Sequence, residues 1–188
     1  MIMKTPIRFF KLTCLLTACL FYVATAALNA QVKKMSAKDL TDESTVVLYG
    51  KCSKIKSEWN DKKDLIFTYV TIVPEEYLKG NLGSEAVILV PGGRVGDIIY
   101  EVSETPVFYE GEEVAAFIWT NPAGKNLVVG GYQGKMKIKK DNNGKRMVEG
   151  YGLDEEATIE GEGKVSHGQL KKVSLDDFTA KVKGYVKN

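Results

Sequence analysis

One histidine, one cysteine beyond residue 30 and scattered carboxylates are what this sequence offers for bond-making chemistry. His167 stands alone, so a His-Glu-x-x-His zinc motif is ruled out and no Cys/His cluster can form within one chain. It sits in Val165-Ser166-His167-Gly168, a loop context, and reads as an exposed histidine. Ser166 cannot serve it as a nucleophile, because neighbours along a chain rarely face each other. Cys52 lies in a strand-like run and reads as a buried, inert thiol; a Cys52–His167 pair would need the fold to bring the two together. Glu110, Glu112, Glu113, Asp154, Glu155 and Glu156 read as solvated turn residues. A hydrolase would have to work through such acids, with Glu112 the residue to test. Asp141-Asn142-Asn143-Gly144 resembles the start of a calcium loop but lacks the later glutamate. The inventory therefore predicts no catalytic residue, no metal and no cofactor, and points away from an enzyme.

The elements that would carry these residues are mostly strands. Residues 86–119 read AVILVPGGRVGDIIYEVSETPVFYEGEEVAAFIW, and the rest of the chain is organised around them. Residues 86–90 form a short continuous apolar run, as in a buried strand. Pro91 cannot donate to a ladder, so the strand should end there, and Gly92 and Gly93 let the chain turn. A phosphate loop would need its glycines to open a helix, and here strand-like sequence follows. Residues 98–102 and 114–119 resume the apolar pattern. Upstream, residues 45–51 alternate imperfectly, with Gly50 marking a bulge or corner. Residues 59–64 are a charged hairpin tip. Residues 65–73 (LIFTYVTIV) make the longest strand candidate, apolar on both faces. Pro74 and Gly80 bracket what reads as a short helical turn.

Downstream, residues 127–129 and 135–140 continue the sheet, and Asn143-Gly144 predicts a tight hairpin returning through residues 145–148. Residues 151–173 are rich in glycine and charge and read as a long loop. Ser174 with Asp177 three residues on resembles a capping box. Leu175, Phe178, Val182 and Tyr185 then recur at helical spacing, so residues 174–187 should form an amphipathic helix docked on the sheet.

The first thirty residues have the order of a secretory signal peptide: Lys4, Arg8 and Lys11, an uncharged apolar stretch from residue 12 to 28, then small residues suited to cleavage after Ala26 or Ala30. Leu16-Thr17-Ala18-Cys19 offers the alternative of a lipoprotein lipidated at Cys19. Either way the protein is expected to be exported, to the periplasm or beyond, with no stable membrane span after cleavage. Cleavage removes three of the 26 basic residues and none of the 24 acidic ones, leaving a nearly neutral chain. Such a chain has no electrostatic claim on nucleic acid. With Cys14 and Cys19 in the signal, Cys52 has no internal disulfide partner, and stability must come from an apolar core. Residues 31–44 read as a polar leader, and residues 45–150 as the β domain.

The motif order resembles a recurring domain of exported bacterial proteins that has no settled biochemical function. The matching residues are Val47, Gly50, Ile66, Thr68, Lys79, Gly80, Pro91, Gly92, Gly93, Gly96, Pro106, Phe108, Gly111, Glu112, Glu113, Val114, Gly130, Gly131, Gln133 and Gly134. The order is also similar to the netrin-like domains, including the tissue inhibitors of metalloproteinases. That similarity implies an all-β fold with one C-terminal helix: an OB/netrin-like antiparallel barrel of five to seven strands. Those inhibitors use an N-terminal cysteine, which a chain beginning at Ala27 or Gln31 lacks, so their mechanism does not carry over. The expected role is a binding module for an envelope or extracellular protein or ligand, with partnership to an exported protease as the alternative. Phe67, Tyr69, Tyr100 and Trp119 could stack on single-stranded nucleic acid, but export, charge and core packing argue for the apolar core. The expected binding surface is Trp59, the turn at residues 91–96 with Arg94, and the segment 132–134 with Tyr132 and Gln133.

Overall fold

Strand β1 (Val46–Trp59) is the one from which the others are laid out. The structure is a computed structural model, and it describes residues 34–153 and 170–187. The proposed signal, Cys19, His167, Asp154, Glu155 and Glu156 lie outside the described residues. β1 pairs antiparallel along its whole length with β2 (Ile66–Lys79), and β2 pairs with β3 (Ala86–Pro91). On its other side, β1 pairs with β6 (Glu113–Thr120), but only from Val46 to Lys51. A separate two-stranded ribbon, β4 (Gly93–Val95) with β5 (Ile98–Tyr100), follows β3. β6 also carries β7 (Asn126–Val128) on one half and β8 (Lys135–Lys140) on the other. β9 (Arg146–Gly150) and β10 (Lys171–Ser174) extend the sheet beyond β8. Helix α1 (Ala37–Glu43) precedes β1, and helix α2 (Leu175–Val186) ends the chain.

The all-β architecture with a C-terminal helix is therefore observed, while the closed barrel is not. The ladder runs β10-β9-β8-β6-β1-β2-β3, with β7 off the path on β6. Among the described residues no ladder joins its two ends. β3 and β7 are bridged instead by a side chain, Asn126 Nδ2 donating to the Val87 carbonyl at 2.9 Å.

Alternation along β1 and β6 builds two cores, one on each face of the sheet. Val46, Leu48, Val114, Ala116 and Ile118 point into the concave side with Cys52, Val70, Ile72, Ile88 and Phe108. Val47, Tyr49, Ala115 and Phe117 point the other way, against Leu40 of α1 and Leu175, Phe178 and Val182 of α2. Phe117 and Phe178 meet edge to face at 6.1 Å between ring centroids. Because both faces of β6 and of the first half of β1 are covered, those stretches read as continuous apolar runs.

The helical turn expected between Pro74 and Gly80 is strand. Proline removes a ladder donor, so it is tolerated within a sheet only at edges or bulges. Here the pairing register slips between Tyr49 and Gly50, opposite Pro74. Gly50 permits the close approach: a Cβ there would sit 2.2 Å from the Val73 carbonyl oxygen. A second slip lies between Val47 and Leu48 and a third between Cys52 and Lys54. Bulges raise local twist, which curls the β1–β2 pair. The expected loop also ends sooner than residue 173, because Lys171–Ser174 pairs with β9. The leader holds a helix with a complete capping box, Ser36 with Asp39. Ser174 caps α2 by accepting from the Asp177 amide at 3.1 Å.

A polar clamp fixes α2 to the sheet. Arg146 on β9 grips both oxygens of Glu75, at 2.6 and 2.7 Å. Glu76 takes Lys183 of α2 at 2.5 Å and the Tyr49 hydroxyl at 3.0 Å. Hydrogen bonding by Arg146 and by Lys183 holds the Glu75 and Glu76 carboxyls below the usual value of 4.5. Burial, then the hydrogen bond to Glu76, pushes the Tyr49 phenol up to about 12. The fold therefore favours the neutral phenol. Its contribution is complete below the ordinary value of 10 and is lost as pH rises from 10 towards about 12. Thermal melts across that alkaline range should show wild type losing stability more steeply than Tyr49→Phe, whose ring cannot ionise. Parallel curves would mean that the phenol plays no part.

Candidate functional site

Among the described residues, the second half of β1 has no strand paired on its outer side, and this leaves one end of the concave core open. Past Lys51, the Cys52 amide still bonds the Glu112 carbonyl, and the Gly111 amide bonds the Cys52 carbonyl. The Ile55 amide is then met by a side chain, Glu110 Oε1, at 2.9 Å. Beyond it, the floor of a cleft is formed by Ile55 and Ser57 of β1, Thr68 and Val70 of β2, and Val90 of β3. The chain from Pro91 to Phe108 folds over this floor and supplies the walls. The open cleft has a volume of about 680 Å³, within the range of small-ligand sites.

A hydroxyl pair lies at the end of the floor. Thr68 Oγ1 donates to the Gly92 carbonyl at 2.7 Å and lies 2.9 Å from Ser57 Oγ. Gly93 packs directly on the pair, with φ +137°, where a Cβ would fall 2.3 Å from Thr68 Oγ1. The Pro91-Gly92-Gly93 segment thus does more than turn the chain: it presents one carbonyl and makes room for two hydroxyls.

The wall is anchored by an interior ion pair. Lys135 Nζ, on β8, contacts Glu112 Oε1 at 2.6 Å and the Val107 carbonyl at 2.5 Å. Its side chain is only 5% exposed, and the Phe108 ring centroid lies 4.8 Å from the ammonium. Glu112 Oε1 also accepts from the Tyr109 amide at 2.8 Å. Burial lowers the Lys135 pKa, against the opposing pull of Glu112. Glu112 and Glu110 are therefore not merely solvated turn acids; one balances a buried charge and the other caps a strand edge. Cys52 is fully buried, and burial, then the Glu112 charge, pushes its thiol up, away from the reactive thiolate.

None of the four residues expected to bind lines this cleft. Trp59 is half-buried at the end of β1, paired with Ile66. Arg94 is exposed on β4, opposite Ile99. The Tyr132 amide bonds the Glu104 carbonyl at 2.9 Å, and its ring meets Tyr151 edge to face at 5.3 Å. Gln133 is buried and accepts from the Met35 amide at 3.0 Å, fastening the lead into α1. Sequence reasoning missed Ser57, Thr68 and Lys135. Thr68 belonged to the motif but carried no chemistry in its context, and a lysine inside a strand rarely signals burial. Among the described residues there is no group of three or more His, Cys, Asp or Glu that could hold a metal, and no helix long and apolar enough to cross a membrane. No protein-family model, characterised protein or solved structure matches this chain.

Removing one member of a buried ion pair leaves the other charge uncompensated. Lys135→Met should cost about 3 kcal/mol in urea unfolding, and adding Glu112→Gln to it should recover part of the loss. A Lys135→Met protein as stable as wild type would show that the pair does not anchor the wall.

Proposed function

We propose that this protein is an exported, non-catalytic binding module whose ligand enters the open end of the curled sheet. One observation carries the reading: the cleft is bordered by large apolar side chains left in solvent. Ile98 and Ile99 are each 54% exposed and Val107 62%, with Tyr100 and Tyr109 also exposed. Ile99, Tyr100 and Val107 line the cleft itself. Consecutive exposed apolar residues on a short ribbon cost solubility, and such patches mark interaction sites. The signal-like order of residues 1–30 supports export, so the ligand or partner would be met at the envelope or outside it.

The OB/netrin-like character of the fold belongs to this proposal. Its support is the path β6-β1-β2-β3, which returns beside β7 on the far half of β6. The mouth of a small barrel is a common ligand site. The expected surface at Trp59 and Arg94 neighbours this end through the Trp59–Ile66 pair and the Gly92 amide on the Ile66 carbonyl.

A titration with 1-octanol followed by methyl NMR tests the reading. Saturable shifts should appear at the Ile55, Val70 and Val90 methyls, with Val148 and Val182 on the opposite face unmoved. Absent shifts, or shifts spread over both faces, would remove the cleft as a site.

A further inference from the structure

The hydroxyl groups in the cleft carry an ordered set of protons, and that order has a polarity. Thr68 spends its only hydroxyl proton on the Gly92 carbonyl at 2.7 Å. The 2.9 Å contact between Ser57 and Thr68 must then be donated by Ser57. Thr105, on the wall, spends its proton on the Val102 carbonyl at 2.8 Å. Three of the five hydroxyl side chains that line the cleft are therefore committed as donors to the protein itself, and keep lone pairs to offer. The other two, Tyr100 and Ser103, belong to exposed residues on the covering segment. Among the described residues, Glu101 is the one lining side chain that bears a formal charge, and it is exposed. The buried cation Lys135 lies against the Phe108 ring and is already matched by Glu112.

From this we infer that the cleft selects an amphiphile with an apolar body and a donor head group, neutral or cationic, and rejects anionic head groups. The inference rests on the proposed function, since it specifies what the same cleft takes. The apolar part lies against Ile55, Val70 and Val90. The head group donates an N–H or O–H to Ser57 Oγ, whose remaining lone pairs have no better use in a half-buried position. A carboxylate head would bring lone pairs against lone pairs there, and would face Glu101 as a like charge. Gly93 is essential to the arrangement, because any side chain at that position would fill the space over Ser57 and Thr68.

Three probes of equal chain length separate the possibilities: octylammonium, 1-octanol and octanoate, each titrated into the native protein and read by methyl NMR at Val70 and Val90. Octylammonium should bind tightest, 1-octanol next, and octanoate at least ten-fold more weakly than octylammonium. Ser57→Ala should weaken octanol and octylammonium by about five-fold, the scale of one hydrogen bond, with unchanged methyl shifts at Val148 and Val182 on the opposite face as the fold control. Glu101→Gln, at an exposed position, should bring octylammonium down to the affinity of octanol. If octanoate binds as well as octylammonium, or Ser57→Ala leaves all three affinities unchanged, the assigned polarity is overturned while the cleft remains a site. If no probe binds, both the polarity and the binding reading fall together.

Discussion

Among the described residues, β1 has paired strands on both sides only from Val47 to Lys51. That limit shapes everything else in the molecule. Where both sides are occupied, backbone demand is met, and each face of the strand can be given wholly to apolar packing. Val46–Gly50 is buried throughout, and the two cores grow from it. Where the outer side falls vacant, the core loses a wall, and a segment from elsewhere must cover it. Residues 91–112 do this, and the cleft is the space they leave.

The covering segment holds its position through few, well-placed polar contacts. The Glu110 carboxylate stands in for a missing strand at the Ile55 amide. Lys135 and Glu112 tie the Val107–Tyr109 stretch to β8 from beneath. A buried pair of this kind is weak support for net stability, yet its geometry admits one arrangement of the loop. Coverage by specific polar anchors differs from coverage by apolar collapse. It fixes where the wall stands without filling the space beside it, and so the exposed apolar rim is kept.

Much of the strand content is legible in the sequence. The apolar runs near residues 46–50, 66–73, 86–90 and 114–119 announce their burial by composition, and Ser174 with Asp177 announces the last helix. Pro74 misled, because proline followed by two glutamates is a good local helix start. The long-range partner that overrules it, Gly50, is distant in sequence. Closure into a barrel could not be read either, since ladder formation between β3 and β7 depends on register rather than on residue type. The cleft was partly visible: the glycines at residues 92 and 93 stood out, but their purpose did not. That purpose appears only when Ser57 and Thr68, on different strands, are brought within 2.9 Å.

The bridge from Asn126 to the Val87 carbonyl has a mechanical meaning. A cylinder stitched all round by main-chain bonds has a fixed bore, and widening it requires breaking many bonds at once. Here the seam between β3 and β7 is laced by a side-chain amide, so its closure rests on that bond and on the apolar packing of Ala86, Ile88, Ile118 and Val128 beneath it. Neither Val87 nor Asn126 lines the cleft, so the break in the ladder at this seam is separate from the opening beside the second half of β1.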